Sequence, residues 1–467
     1  MTLSNLHNVY FLGIGGIGMS ALARWFKNMG HTVTGYDKTQ TPLTKQLVKE
    51  GIEIHFEDDP SLIHPEVIRS PETSLIIYTP AIPKDHKEFN YLIAKGQKVF
   101  KRSEVLGIIT ANHFTVAVAG THGKTSTSSM IAHILKSSGR NCAAFVGGIM
   151  VNYNSNLILP TREEDCIVVA EADEFDRSFL RLSPNIAVVT AADPDHLDIY
   201  GDSRNLKQSF RDFIEKIEES GKLFIKERVA DELDLSGLNI DIETYAISGT
   251  KIKADNIRIE NGFFVFEYSR SQQNIGPLKL HFPGRHNIEN ALAAISVSLH
   301  LGVSENHIKA AIESYRGVRR RFEKIFENDK TVYYDDYAHH PEEIRAFLSA
   351  LKELLPGRKI TAIFQPHLYT RTRDFADGFA ESLQLADQVI LIPIYPAREL
   401  PIEGINSEML LQKINDTDKE IIKKEDVLDK LSKMRIDVLA TIGAGDIDQL
   451  VAPIKVMLEK RYESVQN

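Results

Sequence analysis

One ten-residue segment limits this chain more than any other. Val116-Ala117-Val118-Ala119-Gly120-Thr121-His122-Gly123-Lys124-Thr125 is an apolar strand that runs into glycines, a lysine and a hydroxyl. Glycines let backbone N–H groups turn inward around phosphate oxygens, and the helix that follows points its positive end at them. Lys124 then meets the outer phosphates and Thr125 a magnesium ion. Gly120, Thr121, His122, Gly123, Lys124, Thr125 and Ser126 are therefore expected to cradle a nucleoside triphosphate. Val118 stands where the widespread GxxxxGK[ST] form has its first glycine, so the loop is a shortened relative of that form. The chain has no Asn-Lys-x-Asp guanine reader, which leans toward ATP.

At 467 residues the chain is too long for one core of ordinary size, and two to four domains of about 100–200 residues are expected. No apolar run approaches the roughly 20 residues of a membrane span, and Met1–Asn8 lacks the basic and apolar regions of a signal peptide. The cytoplasm is the expected compartment. A formal charge of −9 argues against broad nucleic-acid or membrane-surface binding, because both partners are polyanions. Cys142 and Cys166 sit in apolar segments and read as buried free thiols.

Three blocks follow one another, each opening with an apolar strand that stops at glycine or acidic residues. The reading is α/β: a Rossmann-like first domain over 1–110, a central P-loop-type parallel sheet over 111–318, and a Rossmann-like third domain over 319–467. Asp165–Ala170 and Asn185–Thr190 look like buried parallel strands, whereas the more alternating stretch from Leu223 to His281 looks like peripheral antiparallel sheet.

Gly13-Ile14-Gly15-Gly16-Ile17-Gly18 satisfies GxGxxG after a strand, and Asp37 ends the next strand. That pattern suits a pyrophosphate at a helix N-terminus, in a dinucleotide or in a nucleoside-diphosphate sugar. Glu171-Ala172-Asp173-Glu174 and Asp195-His196-Leu197-Asp198 follow strands whose carboxyl ends gather beside the phosphate loop, where an acid and a neutral histidine could hold Mg²⁺. Pro283–Asn290 either caps a helix or touches a base. Arg316–Arg321 is either a solvated basic face or a reach toward phosphate. Asp335–Pro341 and Phe364–Arg371 place acids, histidines and a cation at third-block strand ends, which suggests a second substrate face.

Taken in order, Gly120–Thr125, Glu171–Glu174, Asp195–Asp198, Gly284-Arg285-His286-Asn287, Arg319–Glu323, Asp335–Pro341 and Phe364–His367 resemble the Mur ligases along essentially the whole chain. The resemblance implies an ATP- and Mg²⁺-dependent ligase that joins L-alanine to the lactyl carboxylate of UDP-N-acetylmuramate in peptidoglycan precursor synthesis. A recycling ligase attaching a murein peptide to the same sugar nucleotide is the alternative. It places the sugar nucleotide at Gly15, Gly16, Ile17, Gly18, Asp37 and Thr79, and magnesium at Thr125, Glu171 and His196. His286 and Asn287 would approach the adenine, with Arg319 and Asp336 on the far side of ATP. His339, His340, His367 and Arg371 would meet the amino acid and the acyl centre. Lys124, Glu171, His196 and Arg371 are the expected catalytic groups. The enzyme is expected to be a monomer or weak homodimer.

The chain departs from the family pattern at three places. Ala191-Ala192-Asp193-Pro194 fills a stretch where members often carry Asn-Ile-Glu, Leu368 replaces an arginine after Phe-Gln-Pro-His, and Phe210 stands where several sister ligases use a carbamylated lysine. The last difference fits the alanine-adding branch.

Overall fold

The computed structural model describes residues 5–463 except 163, 195–199, 398 and 416. The first sheet contains β1 (Asn8–Leu12), β2 (Thr32–Tyr36), β3 (Glu53–His55), β4 (Ser74–Tyr78) and β5 (Val99–Lys101), all parallel, in the order β3-β2-β1-β4-β5. Strand order reverses between β1 and β4, and a parallel sheet opens a crevice beyond its carboxyl edge at such a point. The Gly13–Gly18 loop leaves β1 there, with Gly13 at φ +86°, and the helix Ile17–Asn28 follows.

The second sheet begins with β6 (Phe114–Ala119), β7 (Cys142–Met150), β8 (Ser155–Ile158), β9 (Ile167–Ala172) and β10 (Ile186–Val189). It continues through β11 (Lys222–Lys226), β12 (Asp241–Tyr245), β13 (Ile252–Glu260), β14 (Phe263–Arg270) and β15 (Gln273–Leu280). Its order is β15-β14-β13-β12-β11-β10-β6-β9-β7-β8. The antiparallel expectation from Leu223 onward is corrected here, because β11 and β12 extend the parallel ladder from β10. The alternation of β12 reflects its half-exposed position toward one end of the parallel run, whereas β11 is buried along most of its length. Only beyond them does a meander begin, with β13 and β14 joined by Asn261 (φ +50°) and Gly262 (φ +78°), the pair that a two-residue hairpin turn demands.

The third sheet is β16 (Glu323–Glu327), β17 (Val332–Asp336), β18 (Ile360–Phe364), β19 (Gln388–Leu391), β20 (Asp418–Ile421) and β21 (Val438–Ile442), in the order β16-β17-β21-β18-β19-β20. All neighbours are parallel except β16 against β17. The fold is thus α/β with three sheets, one per expected domain. Cys142 and Cys166 are buried and form no disulfide, and among the described residues no helix is long and apolar enough to cross a membrane.

Packing divides the chain into two compact units. The first comprises Met1–Lys253, Tyr268–Ile275 and Asn290–Ser314, and the second Ala254–Glu267, Gly276–Glu289 and Tyr315–Asn467. Within the first unit, one apolar core runs from the β1 sheet into the β6 sheet. Trp25, on the helix after the first glycine loop, meets Phe145 of β7 with ring centroids 5.4 Å apart. The buried Asn156 of β8 donates to the Ile17 carbonyl at 2.5 Å and accepts from Arg24 at 2.6 Å. A buried aromatic contact and satisfied polar bonds together fix the first glycine loop against the central sheet.

Candidate functional site

The phosphate loop is shaped by two glycines whose conformations exclude side chains. Gly120 has φ +141°, and a Cβ there would strike the Thr190 hydroxyl, which lies on the carbonyls of Ala119 and His122. Gly123 caps the helix Lys124–Ser137 at φ +80°, and its Cβ would stand 2.7 Å from Asn290 Oδ1. The Thr121 N–H donates to the Ala191 carbonyl at 3.1 Å, and Asp193 N–H to Thr121 Oγ1 at 3.2 Å. His122 lies 3.7 Å from Asp193. Ala191–Asp193, the stretch that departs from the family pattern, therefore braces the loop through its backbone.

Lys124 Nζ donates to the Gly120 carbonyl at 2.6 Å and to the two Glu174 oxygens at 3.0 and 2.8 Å. The lysine side chain is 16% exposed and the glutamate 1%. Burial works against the lysine charge, but Glu174, Asp173 and Glu171 outweigh it and hold the Lys124 pKa above its ordinary value. Thr125 Oγ1 and Ser128 Oγ each donate to Glu171 at 3.2 Å, and Gly147 N–H does so at 2.6 Å. Glu171 and Ala172 are the last residues of β9 instead of lying beyond it. A hydroxyl beside a carboxylate at a phosphate loop offers the hard oxygen donors that Mg²⁺ takes. Asp195, His196 and Asp198 lie outside the described residues. Among those described, no cluster of three or more His, Cys, Asp or Glu is placed to hold a metal ion.

A cavity of about 260 Å³ in the same unit is lined by Gly16, Ile17, Gly18 and Thr79 on one side and by Glu171 and Asp173 on the other. The first glycine loop and the magnesium candidate thus share one space. Asp37 accepts the Gly15 N–H at 2.7 Å and the Thr39 N–H at 3.0 Å, so its carboxylate shapes the loop directly. A Cβ on Gly13 would lie 2.5 Å from Thr79 Cγ2. Phe210 is fully buried on the helix Ser203–Ile214, with its ring 5.5 Å from that of Phe179.

The second unit holds the remaining candidates. Asn287 is buried and donates to the Pro283 carbonyl at 2.7 Å, while the His286 ring lies over Gly284. Arg319 lies within the unit's basic stretch Arg316–Arg321. Its neighbours are spent internally: Arg320 on Asp335 at 2.9 Å and Arg321 near Glu343 at 3.5 Å, both over the Tyr337 ring. Asp336 accepts N–H groups from Phe322 (2.6 Å) and Ala338 (2.7 Å), and burial pushes its carboxyl up to about 7. His339 and His367 approach edge-on with centroids 6.3 Å apart, and His367 stacks on Tyr395. His340 caps the helix Pro341–Leu354 and packs on Phe375. Arg371 is buried on the helix Tyr369–Asp374, just after Leu368, which takes φ +67°.

The structure therefore groups Gly120–Ser126 with Glu171, joins Gly16–Gly18 and Thr79 to Glu171 through the cavity, and sets Asp336, His339, His340, His367 and Arg371 at or just beyond the ends of β17 and β18. Sequence reasoning passed over Glu174, Asn290 and Thr190, although the first two lie inside motifs that it quotes. Arg102, which also lines the cavity, carried no local signal.

Family models account for nearly the whole chain: the Mur ligase family catalytic domain matches residues 8–114, the Mur ligase middle domain 118–298, and the Mur ligase glutamate ligase domain 320–447. The chain belongs to the Mur ligase family. This Mur ligase is 50% identical over 461 residues to a UDP-N-acetylmuramate--L-alanine ligase of Flavobacterium psychrophilum, with 99% of this chain and 100% of the relative covered. It is 51% identical over 460 residues to the protein of the same name from Flavobacterium johnsoniae, covering 98% and 100%. Its fold matches the crystal structure of UDP-N-acetylmuramate-alanine ligase MurC from Thermotoga maritima with a TM-score of 0.80 at 28% identity, covering 98% and 99% of the two chains. A murein peptide ligase from Psychrobacter arcticus shares the fold at TM-score 0.71 and 23% identity, covering 97% and 98%.

Proposed function

We propose that this Mur ligase joins L-alanine to the lactyl carboxylate of UDP-N-acetylmuramate at the expense of ATP, in peptidoglycan precursor synthesis. The observation that carries the reading is one cavity walled by the first glycine loop and by Glu171, the carboxylate that Thr125 of the phosphate loop contacts at 3.2 Å, an arrangement that supports a sugar nucleotide meeting the metal end of a triphosphate. The roughly 50% identity to alanine-adding relatives supports alanine over a peptide as the second substrate.

In this mechanism the γ-phosphoryl group passes to the lactyl carboxylate, the alanine amine attacks the resulting acyl phosphate, and inorganic phosphate leaves. The protein's task is alignment and charge neutralisation, not nucleophilic attack. Gly120–Ser126 wrap the phosphates, and Lys124 stabilises charge on the transferring group. Thr125 and Glu171, with His196, would hold Mg²⁺, which neutralises the triphosphate and polarises its oxygens when bound. His286, Asn287, Arg319 and Asp336 are assigned to the nucleotide, and His339, His340, His367 and Arg371 to alanine and the acyl centre. Residues 1–110, 111–318 and 319–467 are taken as the sugar-nucleotide, ATP and amino-acid domains. The protein would work in the cytoplasm as a monomer or weak homodimer, without nucleic-acid or membrane partners.

A coupled ADP-release assay tests this. ADP release that needs both UDP-N-acetylmuramate and free L-alanine is the expected result. Release driven only by a murein tripeptide would transfer the enzyme to peptide recycling, and release independent of any acceptor would end the ligase reading.

A further inference from the structure

We infer that Arg102 is a substrate-binding residue that grips the diphosphate of the sugar nucleotide, and that Gly18 lacks a side chain in order to admit its guanidinium. The inference rests on the function proposed above. Arg102 is the first residue of the helix Arg102–Ala111, which follows β5 directly. It lines the cavity between the first glycine loop and Glu171, and among the described residues lining that cavity it is the one cation, facing two carboxylates, Glu171 and Asp173. A doubly charged diphosphate entering there needs compensating positive charge, which the glycine loop supplies only as partial charges on N–H groups.

The placement is specific. A Cβ built on Gly18 would lie 2.7 Å from Arg102 Nη1, 3.0 Å from its Cδ and 3.2 Å from its Cζ. The guanidinium thus lies close against the last glycine of the GxGxxG motif, where the usual use of that glycine is close helix–strand packing. At the same time Arg102 is not locked in place. Its ion pair with Asp173 spans 3.7 Å, beyond hydrogen-bond length, and the two side chains are 28% and 41% exposed. A loose, solvent-reached pair costs little to exchange for a phosphate that can take two parallel N–H bonds.

Titration calorimetry on the full-length protein with UDP, UDP-N-acetylglucosamine and UDP-N-acetylmuramate tests the assignment. Arg102→Gln should weaken all three by roughly tenfold or more, because all three carry the diphosphate, and Arg102→Lys should recover part of the loss. The KM for ATP should stay within about twofold. Gly18→Ala should cost similar affinity in the wild-type background and little more once Arg102 is already Gln. Unchanged affinity in Arg102→Gln, or a loss confined to UDP-N-acetylmuramate, would overturn the diphosphate assignment, the latter by pointing to the lactyl carboxylate. Equal costs of Gly18→Ala in both backgrounds would overturn the role given to Gly18. Wild-type protein that binds none of the three would overturn the proposed function, and this assignment with it.

Discussion

Lys124 has three ammonium protons, and the protein itself accepts all three, one at the Gly120 carbonyl and two at Glu174. Phosphate oxygens must therefore displace an internal carboxylate. Lys124→Ala should lower turnover by about two or more orders of magnitude in the ADP-release assay, since a contact strengthened in the transition state is lost. Its effect on stability has a separate origin. Lys124→Met strands the buried Glu174 charge and should cost about 3–5 kcal/mol in urea melts, most of it recovered by adding Glu174→Gln. Equal stability of the single and double variants would refute the pairing. A second buried acid gives a pH signature. Glu88 is enclosed behind β1, accepting from Tyr10 Oη at 2.5 Å and from Asp59 N–H at 3.1 Å, and burial pushes its carboxyl from 4.5 up to about 7. The folded state thus binds this proton more tightly than the unfolded chain. Its contribution is complete below the unfolded value of 4.5 and fades as pH rises through about 7. Urea melts of wild type and Glu88→Gln between pH 4 and pH 8 should show the wild-type advantage shrinking upward across that window, by roughly 1.4 kcal/mol for each pH step of one. A constant difference would show that Glu88 does not titrate there.

Elements were legible wherever one local rule decided them. β1 and β6 are apolar runs ending at glycine, and a helix starts at the end of each glycine loop, at Ile17 and at Lys124, so both loops could be placed from the sequence. Elements decided by neighbours were not. β12, Asp241-Ile242-Glu243-Thr244-Tyr245, alternates like an exposed strand yet pairs in parallel with β11. β16 and β20 are short and charged and were missed altogether. Site residues divide the same way. Lys124 and Glu171 follow from strand-end logic, whereas Asn290 matters because its amide abuts Gly123 and Thr190 because its hydroxyl fills the space over Gly120. Gly123 supports both the turn and the helix start. Gly123→Ala must hold φ +80° and push Asn290 aside, and should cost about 1–3 kcal/mol in thermal melts together with a raised KM for ATP. Wild-type behaviour in both measurements would mean that the loop adopts another backbone path.

At the scale of the whole molecule, the residues given to the sugar nucleotide and to the ATP phosphates belong to one compact unit, and those given to alanine belong to the other. Lesions should separate accordingly. Arg371→Ala should raise the KM for alanine at least about tenfold, while calorimetric binding of UDP-N-acetylmuramate alone stays within about twofold of wild type. Comparable losses in both would argue that Arg371 supports the fold. One buried ring bears on the environment in which the enzyme can work. With Phe210 sealed against Phe179, at the position where the family resemblance implies that sister ligases carry an amine modified by dissolved carbon dioxide, catalysis here should be indifferent to bicarbonate, running at the same speed in degassed buffer as in buffer equilibrated with the gas.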